Sequence, residues 1–189
     1  MISSRICRTL LVAVVVVHAA APRLAAQSRV GSDSSTRWNR YGHDLVYGTT
    51  LGLVYAGVDQ LRTDPPEWGK DFTGYEKRAA SDIGEFLVQE TVTDILAGAM
   101  NRPLDYQRCR CHGTADRLGW VAMSALEDPT PSGGHVLAVP RIVGAFAGSF
   151  AQAAWRPRTG GVARLGLVNG ATSLLIGAGI NLYYEFRHR

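Results

Sequence analysis

The sequence predicts an all-α protein, about five helices in a compact glycine-rich bundle. Apolar residues recur at helical spacing over long stretches, and Pro/Gly-rich runs cut those stretches into five pieces. Three of the pieces also carry small residues four apart. Hydrophobic residues make up 46% of the chain, which suits a packed core and argues against disorder.

Residues 1–26 read as an export signal. Arg5 and Arg8 form a basic start, Leu10 to Ala21 is an uncharged apolar block, and Ala25-Ala26-Gln27 offers small residues for cleavage. The block is shorter than the ~20 residues a permanent anchor needs. Cys7 precedes it, the wrong place for lipid attachment. The expected organisation is a signal peptide (1–26), a flexible polar leader (27–37) and a single helical domain (38–189), exported to the periplasm or outer membrane. Loss of residues 1–26 removes Arg5, Arg8 and Arg23 and no acid, so the charge falls from +4 to +1. That leaves no basic footprint for a phosphate backbone, which sets nucleic acid aside. With two cysteines left, a disulfide-framework fold is also excluded.

Helix one is expected over Trp38–Leu61, where Leu45, Val46, Leu53, Val54 and Leu61 share a periodicity that Pro65-Pro66 ends. Asp64 to Gly74 is a structured loop. Helix two runs from about Tyr75 to Met100, amphipathic, with Asp82, Glu85, Glu90 and Asp94 read as a solvated face rather than paired catalytic carboxylates. A basic connector from Leu104 to Gly113 leads to helix three, Ala115–Leu126. The run Asp128 to Gly134 is the strongest loop signal. Helices four and five are expected over Val136–Trp155, interrupted at Pro140-Arg141, and Val162–Phe186. A strand alternative exists for alternating glycine-rich runs such as Ala145 to Ala151, as in an envelope β-barrel.

The small-residue positions are Gly48, Gly52 and Ala56 in helix one, Gly144 and Gly148 in helix four, and Gly166 and Gly170 in helix five. Glycine costs roughly 1 kcal/mol against alanine inside a helix, so its repetition at one spacing points to close helix packing. Leu165 to Tyr184 holds 20 residues without a charge, long enough to span a bilayer. Asn169, Thr172, Ser173 and Asn181 dilute it, which favours a buried or interfacial helix over a true span. Tyr183, Tyr184, Phe186, Arg187, His188 and Arg189 close the chain with an aromatic and basic cluster suited to lipid headgroups, or to an ordinary helix C-terminus.

Cys109-Arg110-Cys111-His112 is the densest group of metal-type ligands, and Cys109, Cys111 and His112 are the candidate metal or redox site. One residue between the cysteines departs from the haem-attachment spacing, and only His43, His135 and His188 remain as further imidazoles. A local disulfide is the plainer expectation for an exported chain. Ser132 and His135 lack any nucleophile-elbow context, and no phosphate-binding glycine motif is present. Neither a catalytic residue nor a cofactor is therefore expected.

The chain resembles a family of uncharacterised exported bacterial envelope proteins. The likeness rests on Asp64-Pro65-Pro66-Glu67-Trp68-Gly69, Gly74-Tyr75 with Lys77-Arg78, the stretches from Pro103 to Tyr106, Thr130 to Gly133 and Gly144 to Trp155, and the ending from Asn181 to Phe186. It covers roughly residues 50 to 186. It implies an envelope location and a helical glycine-rich domain with no assigned activity, and it transfers no functional residue. The function expected from all this is a membrane-associated, non-enzymatic envelope protein whose small-residue helices pack on each other, on copies of itself, or on lipid or a protein partner. The alternative is a metal- or redox-active module built on Cys109, Cys111 and His112.

Overall fold

A computed structural model of the chain describes residues 34–130, 134–157 and 161–187. The export signal, most of the leader, Ser132 and His188 lie outside the described residues. The described chain is mostly helical: α1 Ser34–Arg62, α2 Phe72–Ala99, α3 Thr114–Ser124, α4 Val139–Trp155 and α5 Val162–Phe186, with a 3-10 turn at Pro66–Trp68. The chain divides into compact units at His43/Asp44. In the first unit Trp38 meets Tyr41 edge-to-face, 6.0 Å between ring centroids.

In the second unit, Asp44 onward, α1, α2, α4 and α5 run alternately up and down. Gly48 and Gly52 of α1 lie against Phe86 and Ile83 of α2, Gly144 and Gly148 of α4 against Gln89 and Glu85 of α2, and Phe150 and Phe146 of α4 against Gly166 and Gly170 of α5. In each pair the positions run in opposite directions along the two helices. Short connections at one end join α1 to α2 and α4 to α5, and the 39 residues between α2 and α4 gather at the other.

The boundaries follow local chemistry. Thr63 and Asn101 take left-handed backbone conformations after α1 and α2, and the next amides close back on Asp59 O and Ala97 O, each at 2.9 Å. Asp71 caps α2 by accepting from Gly74 N at 2.8 Å. The loop signal at Asp128–Gly134 sits within a small hairpin, Glu127–Pro129 paired antiparallel with His135–Leu137 (β1 and β2).

Three expectations are corrected here. Helix four starts at Val139, because Val136 and Leu137 pair with Asp128 and Glu127 in the hairpin instead of extending the helix. Pro140 does not interrupt it, since it occupies the first turn, where its missing N–H has no helical acceptor to lose. Helix one begins at Ser34, inside the expected leader. Ala145 to Ala151 is helical, which disposes of the strand alternative for that run.

Candidate functional site

The interior inverts the usual distribution of a water-soluble bundle. The largest fully buried side chains include Arg78, Gln152, Glu185 and Ser149, and the buried apolar residues are mostly alanines. Leu61, Ile95, Leu167, Val168 and Leu175 are exposed instead, Leu61 by 87% and Leu175 by 71%. Buried polar groups of this size are informative, because each needs partners to offset its desolvation.

Those partners form a seam between helices. Ser149, Gln152 and Arg156 lie at i, i+3 and i+7 along the face of α4 that meets α2, and Asp82, Glu85 and Gln89 repeat that spacing on α2. The Ser149 hydroxyl donates to Glu85 Oε1 at 2.6 Å and the Gln152 amide to Asp82 Oδ1 at 2.9 Å. From α5, the Asn169 amide donates to Gln152 Oε1 at 3.2 Å and the Ser173 hydroxyl to Gln89 Oε1 at 2.6 Å. Arg156 ends the seam, paired with Asp59 of α1 and lying 3.7 Å from Asp82 Oδ1. Asp82 Oδ2 is buried without a hydrogen-bond partner among the described residues. The solvated face expected for Asp82, Glu85, Glu90 and Asp94 is therefore corrected: none of the four is exposed. The signal in the sequence is the matched polar spacing of Ser149, Gln152 and Arg156 at the end of α4, a helix whose one other charged or polar residue is Arg141.

At the α1–α2 end, Arg78 is fully buried. Its guanidinium donates to the carbonyls of Asp64 (2.7 Å), Pro65 (2.7 Å) and Gly69 (2.9 Å) and to Gln60 Oε1 (2.6 Å). Gln60 in turn donates to the carbonyls of Lys70 and Asp71. Arg78 and Gln60 together thus hold the Asp64–Asp71 loop, with Arg156 Nη2 also 3.3 Å from Asp64 O, and Gly74 leaves the room for the Arg78 side chain: a Cβ there would lie 2.8 Å from Gly69 O and 2.9 Å from Arg78 Nη1.

At the opposite end Glu185 gathers the long connector. Its carboxylate accepts from Arg117 Nε (2.7 Å), Tyr106 OH (2.9 Å) and Cys109 N (3.0 Å), and Arg117 also donates to the Glu185 carbonyl. Burial opposes ionisation of Glu185, but the donors from Arg117, Cys109 and Tyr106 outweigh it and hold the carboxyl below its usual range. Burial raises the Tyr106 hydroxyl, and its bond to Glu185 raises it further. Because the folded value of Glu185 is depressed, its contribution to stability is present above the unfolded pKa of about 4.3 and disappears as pH falls through the folded value. Glu185→Gln is expected to lower the melting temperature at pH 7 by on the order of 5 °C and to flatten the acid limb of stability between pH 5 and 3. Thermal melts across that range check both; an unchanged acid limb would remove Glu185 as its source.

Cys109 and Cys111 are joined in a disulfide. Paired sulfurs offer no thiolate, so in this form Cys109 and Cys111 are a brace rather than ligands. His112 is exposed beside them on the same open cavity. Among the described residues no three His, Cys, Asp or Glu side chains are grouped to hold a metal ion. His135 stacks edge-to-face on Trp120 at 5.3 Å and lies 3.6 Å from Glu127 Oε2, while Arg141 crosses to Asp128 at 3.0 Å.

The small-residue positions all lie at helix contacts of the second unit. Ala56 is fully buried. A Cβ on Gly148 would fall 2.6 Å from Glu85 O and one on Gly144 2.8 Å from Gln89 O, while Gly166 and Gly170 abut the rings of Phe150 and Phe146. A Cβ on Gly48 would overlap the ring of Phe86, and one on Gly52 would come within 2.9 Å of the Ile83 side chain.

No family model, curated protein or solved structure matches the chain, so its residues carry the functional reading unaided.

Proposed function

We propose that this is an exported, membrane-embedded envelope protein with a structural or interaction role, its four long helices surrounded by lipid. The observation that carries the reading is a band of surface on which the charged residues are all buried or half-buried, Arg141 among them paired with Asp128. Over residues 45–61, 79–98, 139–155 and 165–184 no Asp, Glu, Lys or Arg is exposed. The exposed positions there are apolar or aromatic apart from Thr172 and Gly179, and the Thr172 hydroxyl is satisfied by Val168 O of its own helix at 2.8 Å. The ranges 79–98 and 165–184 rise about 30 Å, the thickness of a bilayer's hydrocarbon core, and 45–61 and 139–155 rise about 26 Å, the short end of what spans one. Exposed charges flank the band, with Arg62, Lys70, Glu76, Lys77 and Arg164 on one side and Arg108, Arg110 and Arg187 on the other. Trp155, Tyr183 and Tyr184 are exposed near its edges, as aromatic belts require.

By length and composition α5 alone, among the described helices, is apolar enough to cross a membrane, with mean hydropathy 1.4 over its best window. Only 11% of that window is buried, so of the buried or interfacial helix expected the buried form does not fit: the apolar side of α5 faces outward. The α4 helix, of 17 residues, is too short by the same measure, and the longer α1 and α2 carry more charged and polar residues; those, Asp59, Asp82 and Glu85 among them, turn toward the bundle interior, where lipid would require them to be. Glycine contacts and interhelical hydrogen bonds are the two devices that join helices when lipid removes the hydrophobic drive between them.

Fractionation of native envelopes followed by a carbonate wash tests the proposal. Retention in the membrane pellet is the expected result, and release into the soluble fraction overturns it. A charge at the centre of the band sharpens the test: Leu175→Arg should reduce membrane-retained protein several-fold, in line with about 2.5–3.5 kcal/mol for arginine at mid-bilayer.

A further inference from the structure

The Cys-Arg-Cys-His segment acquires a use when the cavity beside it is considered. An open cavity of about 300 Å³ lies where the connector meets the end of α5, a volume at the lower limit for small-ligand sites. Arg108, Arg117, Arg187 and His112 line it together with the buried Glu185 and the ring of Phe186. The one carboxylate among these is already fully engaged by Arg117, Tyr106 and Cys109. Arg117 is committed to Glu185 and to the Phe186 face, 4.3 Å from the ring centroid. Arg187 rests over the Tyr183 ring at 5.8 Å, and neither it nor Arg108 has a carboxylate partner among the described residues. The lining therefore carries an uncompensated positive charge.

It is also held in place. The disulfide closes a tight loop between Arg108 and His112, and the Cys109 amide is fixed to Glu185 at 3.0 Å, so the segment bearing Arg108 and His112 is tied to the helix bearing Arg187. Guanidinium groups recognise phosphate through paired donors, and prior fixation lowers the ordering cost of that recognition.

We infer that this cavity binds a phosphate-bearing anion, gripped by Arg108 and Arg187 with His112 alongside. The cavity lies at the edge of the band without exposed charge, next to exposed Tyr183 and Tyr184, at the depth where phosphate headgroups of anionic lipid would lie. Phe186 supplies an apolar wall for the glycerol portion. A lipid as the source of the phosphate rests on the membrane reading; the anion site itself does not.

The test uses the full chain in an uncharged detergent, titrated with dihexanoyl phosphatidylglycerol, dihexanoyl phosphatidylcholine and inorganic phosphate. Saturable binding of the anionic lipid over the zwitterionic one is expected. Arg108→Gln should weaken it about tenfold, the change that follows from losing one charge-assisted contact, and adding Arg187→Gln should weaken it further. Both side chains are exposed, so neither substitution threatens folding, and Arg164→Gln at the opposite rim should leave binding unchanged. Inorganic phosphate binding as tightly as the lipid, with the same arginine dependence, supports the site with a soluble phosphate as its source. Absence of saturable anion binding, or binding indifferent to Arg108 and Arg187, overturns the inference. The carbonate wash is read separately: arginine-dependent phosphate binding by a protein that washes off the membrane would remove the membrane reading and leave the anion site standing.

Discussion

Arg78→Ala is expected to unfold with a loss of about 3–5 kcal/mol, among the largest single-residue effects in the chain. The wild-type guanidinium is fully buried and donates four hydrogen bonds, three to backbone carbonyls of one loop and one to Gln60. Removing it takes the nearest donor from the Asp64, Pro65 and Gly69 carbonyls: Asp64 O keeps Arg156 Nη2 and Pro65 O keeps Trp68 N, each at 3.3 Å, while Gly69 O keeps none among the described residues. Unmade bonds at buried acceptors cost more than made bonds gain, so the loss exceeds the net worth of the contacts. Arg78→Lys retains the charge but replaces a planar fork by a point donor, which cannot reach carbonyls at Asp64 and Gly69 together; about half the loss should remain. Denaturation followed by far-UV circular dichroism gives the midpoint, and limited trypsin digestion at Lys70 reports the loop. Faster cleavage at Lys70 in Arg78→Ala is the expected signature. Wild-type midpoints and cleavage rates in both variants would show that the loop holds itself.

The same residue marks how far the sequence could be read. Helices two and five are legible because their apolar residues and breakers agree, and the Pro65-Pro66 interruption falls between α1 and α2. Periodicity reports which residues share a face, but not whether that face meets water or another helix. Periodicity alone puts Asp82, Glu85, Glu90 and Asp94 on a solvated face, and what places Asp82 and Glu85 inside is the amide of Gln152 and the hydroxyl of Ser149, about 70 residues away. The hairpin strands were missed because three residues each, Glu127–Pro129 and His135–Leu137, are too few for an alternating pattern. Glu185 was invisible as a site for a related reason. One acid near the end of a helix looks ordinary until the connector folds back and brings Arg117, Tyr106 and the Cys109 amide to it. The cysteine cluster was conspicuous, but its neighbours Arg108 and His112 define the cavity that its disulfide steadies.

The seam and the glycines are two halves of one packing arrangement. Gly144 and Gly148 bring α4 close enough to α2 for short polar side chains to meet across the interface. Ser149 reaches Glu85 at 2.6 Å although a serine hydroxyl extends only one atom beyond Cβ. Widening that interface by a methyl group would therefore weaken hydrogen bonds as well as packing. On the membrane reading proposed above the two effects reinforce each other, since in lipid a separated Asp82 or Glu85 would find no water to replace Gln152 or Ser149.

Gly148→Ala should show this coupling as a loss of about 2–3 kcal/mol, against a gain of roughly 0.5 kcal/mol for Gly57→Ala. Both glycines are helical, so backbone propensity favours alanine equally at the two sites. They differ in what the new Cβ meets: Glu85 O at 2.6 Å and Gln89 N at 3.2 Å for Gly148, and nothing within 4 Å for Gly57. A backbone carbonyl cannot rotate aside, so α2 and α4 must separate and the Ser149–Glu85 bond must lengthen. Gly166→Ala provides the intermediate case. There the obstacle is the Phe150 ring, itself 37% exposed, which can swing outward and leave the helix axes in place. The expected order of stability is Gly57→Ala, wild type, Gly166→Ala, then Gly148→Ala, measured as unfolding midpoints in one detergent. Adding Ser149→Ala to each background separates the contributions: its cost should be large in wild type and small in Gly148→Ala, because the hydrogen bond is already lost. Equal costs of Ser149→Ala in the two backgrounds would mean that the helices stay in register despite the added methyl, and that close approach and polar pairing are independent features of the bundle.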